Sequence, residues 1–175
     1  MFGFGKKKPL VQGPVEFTSE AEINAAASVI YSLLDVSGPH FTHVLMGGTV
    51  TMIEEGEAAG LGRFELKAKN LDDLTFHLHV TQAEPNLVHS HECVIEPLVG
   101  RLIKTVDTVE IEEIGPGKCR VVQTVSATFQ DGLSDRSIAK ELVSMTMSAE
   151  NALEKLAIHA EEGIDAVSAY EDEYF

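Results

Sequence analysis

From residue 14 to residue 130 the chain alternates apolar and polar positions over a series of short stretches. Val15, Phe17, Ser19, Ala21 and Ile23 alternate with Glu16, Thr18, Glu20, Glu22 and Asn24, which predicts a first strand with one wet face. The period then becomes helical. Asn24 is placed to cap a short helix over AAASVIYSLLD, with Val29, Ile30, Leu33 and Leu34 turned inward. Ser37, Gly38 and Pro39 break it, and PHFTHVLMGG fits a second short helix or an irregular turn. From Gly48 the period is two. Five strands are expected at 49–55, 62–70, 73–81, 86–95 and 101–113, joined by turns such as EGEAAG, NLDD and AEPN. The clearest sets Phe64, Leu66 and Ala68 against Arg63, Glu65, Lys67 and Lys69. Gly115-Pro116-Gly117 leads tightly into a last strand, KCRVVQTVSATF. No crossover helix interrupts the run, so neighbouring strands should be antiparallel.

The longest helical stripe follows. Ile138, Leu142, Met145, Ala149, Ala152/Leu153, Leu156 and Ala160 fall three or four residues apart, with Ser134 to cap the start, Asp135 at the positive end and Gly163 to stop it. Such a helix is about 40 Å long. A twisted sheet of seven strands can bury its stripe by curling around it, leaving a cavity wherever the two part. The expected class is α+β, in the order β-α-α-β-β-β-β-β-β-α. Met145 and Met147 suit irregular space at a cavity, or equally plain core filling. Residues 1–13 read as a flexible basic terminus, 14–163 as one domain, and 164–175 as an acidic tail with one weak helical turn and a mobile end.

The stretch EAEINAAASVIYSLLD resembles the opening of the helix-grip (SRPBCC) superfamily, which contains START lipid-transfer domains, Bet v 1-like proteins and polyketide cyclases/dehydrases. There an apolar strand end is followed by Ala-Pro-x-x-x-Val-(Trp/Tyr)-x-x-(Leu)-x-Asp; Ile23, Ala25, Val29, Tyr31, Leu34 and Asp35 match, and Ala26 replaces the proline. Gly62-Arg63-Phe64 is similar to the start of the family's third strand, one residue shorter than in some members. GPGKCRVV is similar to its turn into the last strand. With the C-terminal helix, the resemblance covers roughly residues 15–161 and is nearest to the bacterial polyketide cyclase/dehydrase and lipid-transport-like members. It implies a helix-grip fold and a small hydrophobic ligand or lipid held in an internal cavity by a carrier or sensor. Two alternatives remain open: a cofactor-independent cyclase or dehydratase, and an interaction subunit with a vestigial cavity. No catalytic set is common to the family. The chain lacks the tryptophan often found near the second helix, where Phe41 or His43 stands, so less aromatic surface is on offer to a flat ligand.

Charge narrows the partners. Thirteen basic against twenty-eight acidic residues give a net charge of -15, which makes nucleic acid and anionic membranes poor partners. Cys93 and Cys119 form neither a disulfide framework nor a metal motif, so a reducing, cytoplasmic location is expected. MFGFGKKKPL has a basic cluster without an apolar run after it, unlike a signal peptide, and Phe2 and Phe4 beside the lysines offer a membrane contact that competes with simple fraying. No stretch approaches the roughly 18 apolar residues of a membrane span. Oligomeric state is not legible.

Histidines are the unusual feature. His77 and His79 share one face of a predicted strand, and His89 and His91 one face of the next. Phe76, Leu78 and Val80 put the first pair outside, whereas Leu87, Cys93 and Ile95 favour burial of the second. One register sets His89 opposite Leu78 and His91 opposite Phe76, with the pairs on opposite sides. A one-residue slip sets His91 opposite His77 and His89 opposite His79, a four-histidine patch able to hold zinc or copper. Partly exposed, water-satisfied imidazoles are the bland reading. Asp107 shares a face with Ile103, Thr105, Val109 and Ile111, and Gln123 lies between Val121 and Val125. His89, His91 and Asp107 are thus the candidates to fix a ligand's polar end or to serve as general acid and base. Phe64, Leu66, Phe76, Leu78, Val125 and Phe129 from the strands, with Leu142 and Met145 from the long helix, are the candidate apolar lining, joined by Phe17. No metal or cofactor is expected, and the ligand class is a neutral or weakly acidic lipid, ring compound or hydroxylated apolar metabolite.

Overall fold

The alternation is realised as seven strands, β1 (Val15–Ile23), β2 (Thr49–Glu55), β3 (Gly62–Lys67), β4 (Thr75–Glu84), β5 (Val88–Glu96), β6 (Leu102–Gly115) and β7 (Lys118–Phe129), with four helices, α1 (Ala27–Leu34), α2 (Thr42–Leu45), α3 (Asp135–Glu162) and α4 (Ile164–Tyr174). This computed structural model describes residues 13–69, 71 and 73–174, the side chain of Tyr174 excepted; the basic segment with Phe2 and Phe4 lies outside the described residues. All strands pair antiparallel in the order β1-β7-β6-β5-β4-β3-β2. Bulges in β2, β4 and β6 add the local twist that curls the sheet. Where β2 turns into β3, a side chain in place of Gly62 would set its Cβ 2.6 Å from the Glu54 carbonyl, at a φ of 150°, so only glycine fits this close crossing.

The sheet grips α3. Ser134 caps that helix by accepting from the Ser137 N–H, and Gly163 ends it with a positive φ. Three apolar clusters fill the grip. At one end Ile23, Ile30, Leu33, Ile111 and Val121 pack with Leu153 and Leu156; Leu133, Phe129 and Ala127 gather Ile138, Leu142 and Met145 at the other. Over β3 and β4, which α3 does not reach, Val36 and Phe41 from the segment around α2 cover Phe64, Leu66, Leu78 and Val80.

Several expectations are corrected. Asn24 does not cap α1, whose N-cap is Ala26 without a side-chain bond. Its backbone and side-chain N–H groups instead donate to Glu161 Oε1 at 2.6 and 3.0 Å, tying the end of β1 to the end of α3. Val29 faces solvent, and of the Ala152/Leu153 pair it is Leu153 that is buried. Met147 is 65% exposed and fills no cavity, whereas Met145 packs in the core. The C-terminal segment is not a weak turn with a loose end: α4 folds back on α3, buries Val167 completely, and is held by Lys155–Glu171 at 2.6 Å and Tyr170–Glu154 at 2.9 Å. At the free edges, β1 presents Glu16, Glu20 and Glu22, while β2 leaves Met52 and Ile53 more than half exposed.

Truncating the buried stripe should therefore be costly only on its inner side. Leu156→Ala is expected to cost about 2 to 5 kcal/mol, the half-buried Leu142→Ala less, and Met147→Ala within about 0.5 kcal/mol of nothing. Urea unfolding of the three variants checks the ranking; equal losses at Leu156 and Met147 would refute this facing of α3.

Candidate functional site

Two cross-strand rows run over the concave face. Phe17, Val125, Asp107, His91 and Val80 form one, and Ser19, Gln123, Val109, His89 and Ala83 the next. Their polar members make a belt across four strands between the apolar clusters. Gln123 Nε2 donates to Asp107 Oδ1 at 3.0 Å and to Oδ2 at 3.3 Å, so the two side chains selected for their inward facing hold each other.

His89 is 2% exposed, and its ring meets Tyr31 of α1 edge-on at 6.3 Å and His91 at 5.7 Å. Among the described residues, His89 Nε2, His91 Nδ1 and Ser19 Oγ are buried with no hydrogen-bond partner; Asn151 Oδ1 on α3 shares that condition. Burial holds both imidazoles down at about 4: for His89 the neighbouring His91 lowers it further and Asp35 partly offsets this, and for His91 the second influence is His43. Both are neutral at pH 7, with one nitrogen donating and one accepting. Asp107 moves the other way, its pKa raised by burial and moderated by the bond from Gln123. Cys93, behind the belt, is pushed up to about 12 by burial and then by Asp107, so it stays a thiol. Cys119 donates to the Ala25 carbonyl at 3.4 Å.

Neither register considered for the histidines is the real one. A bulge around Thr81 in β4 places His91 opposite Val80 and His89 opposite Ala83. His77 and His79 lie on the convex face, His77 between Glu65 at 3.7 Å and Glu96 at 3.4 Å, so the four-histidine patch does not form. The described residues contain no group of three or more metal-ligating side chains.

The chosen apolar lining is divided. Phe64, Leu66, Phe76 and Leu78 pack under Val36, Phe41 and Val44; Phe129, Leu142 and Met145 belong to the far cluster; Val125, 4% exposed, borders Asp107 in the belt. Sequence reasoning missed Tyr31, one helical turn inside a motif otherwise read for fold, and Ser19, whose only signal was a hydroxyl at a dry strand position. It also missed the buried His159 of α3, whose Nδ1 lies 3.3 Å from Thr42 Oγ1 and anchors α2.

Clefts open at the surface among the described residues. One of about 540 Å³ lies between Ala27, the turn at Pro85, Asn86 and Leu87, and the end of β6 at Ile111, Glu112 and Glu113. Another, about 360 Å³, is on the outer face beside Glu54, Arg63 and His79.

The architecture is a helix-grip fold, shared with solved structures at low sequence identity. Ara h 8.0201 superposes with a TM-score of 0.61 at 11% identity, over 90% of this chain and 97% of its own. A START superfamily protein from Mycobacterium smegmatis gives 0.56 at 12% identity over 82% and 99%, and a protein from Chromobacterium violaceum 0.56 at 11% over 83% and 97%. No protein-family model and no curated protein matches the sequence.

The buried imidazoles make stability depend on pH. Unfolded, they titrate near 6.5 and, folded, near 4, so between these values the unfolded chain binds more protons and stability falls as pH is lowered. His159, also lowered by burial, adds to this, while the raised Asp107 opposes it at the acid end. A His89→Gln/His91→Gln variant is expected to lose less stability than the parent between about pH 7 and pH 4.5 in urea titrations. Parallel losses would remove the pair as the source.

Proposed function

We propose that the protein binds a small, largely apolar molecule, its inner polar end uncharged, between α3 and the concave face, as a carrier or sensor. The observation that supports this reading is the belt itself: His89 Nε2, His91 Nδ1 and Ser19 Oγ are buried without partners beside the Asp107–Gln123 pair. An unsatisfied buried polar atom costs about 1 to 3 kcal/mol, which a hydroxyl or carbonyl on a guest molecule offsets. Apolar contact beyond the belt contributes roughly 25 cal/mol per Å² before immobilisation is counted. The polar end is neutral, because both imidazoles are uncharged at pH 7 and the chain carries -15. Imidazoles held near 4 stay neutral and are weak general bases at neutral pH, which favours binding over cyclase or dehydratase chemistry. The two free thiols suit a reducing, cytoplasmic setting, and no described helix is long and apolar enough to cross a membrane.

Native mass spectrometry followed by organic extraction tests this. A largely apolar molecule is expected to co-purify and to bind about three- to tenfold more weakly to His89→Phe and to His91→Phe, the worth of one hydrogen bond each. Chemical conversion of that molecule, lost in both variants while folding is intact, would replace the carrier with an enzyme. Affinity unchanged in both would remove the belt from the site, and a protein that takes up nothing would point to an interaction subunit.

A further inference from the structure

The cleft at the α1 end stands directly outside the belt. Three elements each carry one residue in its wall and the next residue of the same face one step deeper. On α1, Ala27 lines the cleft and Tyr31 follows one turn on; on β5's side, Leu87 lines it and His89 follows; on β6, Ile111 lines it and Val109 follows, opposite His89. Within the inner trio, His89 is buried between Tyr31, edge-on to its ring, and Val109, its cross-strand neighbour, and its Nε2 has no partner. The Ile111 N–H bonds the Leu87 carbonyl at 2.8 Å, which fixes two walls of the mouth to each other, while the Leu87 side chain stays 59% exposed. A mouth of about 540 Å³ is in the size range of small-molecule sites.

The mouth has a sign. Glu112 and Glu113 line it, and no lysine, arginine or histidine does. Glu112 is shared with Arg120 at 3.8 Å on the outer face, so Glu113, on the inward-facing side of β6, carries the uncompensated charge. Asp35 at the end of α1 adds to the negative field felt by His89. We infer that this cleft is the portal to the His89 end of the interior site, and that it admits apolar molecules bearing a cationic group in preference to anionic ones. The inference rests on the interior binding reading above. A guest lies with its body on Ala27, Leu87 and Ile111, its inner polar atom at His89 and any ammonium at Glu113.

Fluorescence titration with three naphthalene probes, carrying a methanol, a methylammonium or a carboxylate group, tests it. The ratio of ammonium to carboxylate affinity is expected to fall about two- to fivefold in Glu113→Gln, the range one exposed charge pair commands, and to reverse in Leu87→Lys. Glu150→Gln, on the exposed side of α3, changes net charge equally and should leave the ratio as it is. If the methanol probe binds in a manner weakened by His89→Phe but the ratio is the same in all three charge variants, the portal is refuted and interior binding stands. If no probe binds, or binding ignores His89→Phe, the interior reading falls and takes the portal with it.

Discussion

A curled seven-stranded sheet has more concave surface than one helix can cover, and the rest of this molecule follows from that mismatch. α3 lies over β1 and β7, tied at its far end by Asn24 and Glu161. The half of the sheet it leaves bare needs other cover, which the segment from Val36 to Val44 supplies over β3 and β4. Between these two roofs runs a strip, β5 and β6, which α1 covers. It is on that strip that the chain places His89, His91 and Asp107.

Polar residues there are expensive. Burial depresses both imidazoles, which are neutral at pH 7, and pushes Asp107 up against the bond from Gln123. Gln123 satisfies Asp107 from the next strand, but nothing comparable serves the histidine nitrogens. A fold seeking stability alone would put valine at these positions, as it does at Val80, Val109 and Val125. The exception is local and lies where the helix does not press, which ties the chemistry of the belt to the geometry of the grip.

Periodicity was enough for the architecture because a strand with one dry face and a helix with one dry stripe write their facing into the sequence. The same alternation correctly turned His89, His91, Asp107 and Gln123 inward. Pairing was not legible, since the bulge at Thr81 shifts β4 against β5 and breaks the alternation of β4, whose inward positions step from Val80 to Ala83. Nor was the fate of Asn24, an ordinary capping residue whose partner, Glu161, is distant in sequence and close only after folding. α4 was read as a single weak turn because Gly163 is a strong stop and the acidic residues after it mask Ile164, Val167 and Tyr170, spaced as a short stripe. Tyr31 and Ser19 gain meaning only from what lies across from them.

The open sheet has one further consequence. Its edge strands remain free to pair with another copy, and β2 offers Met52 and Ile53 beside its unpaired backbone. Charge opposes that pairing: Glu55 on that edge and Glu16 on the other stand outside the ion pairs that hold Glu54, Glu20 and Glu22, within a chain of net -15. Towards the isoelectric point near 4.7 this repulsion vanishes while the strand edges stay as they are. Mild acid thus removes the charge that opposes edge-to-edge association.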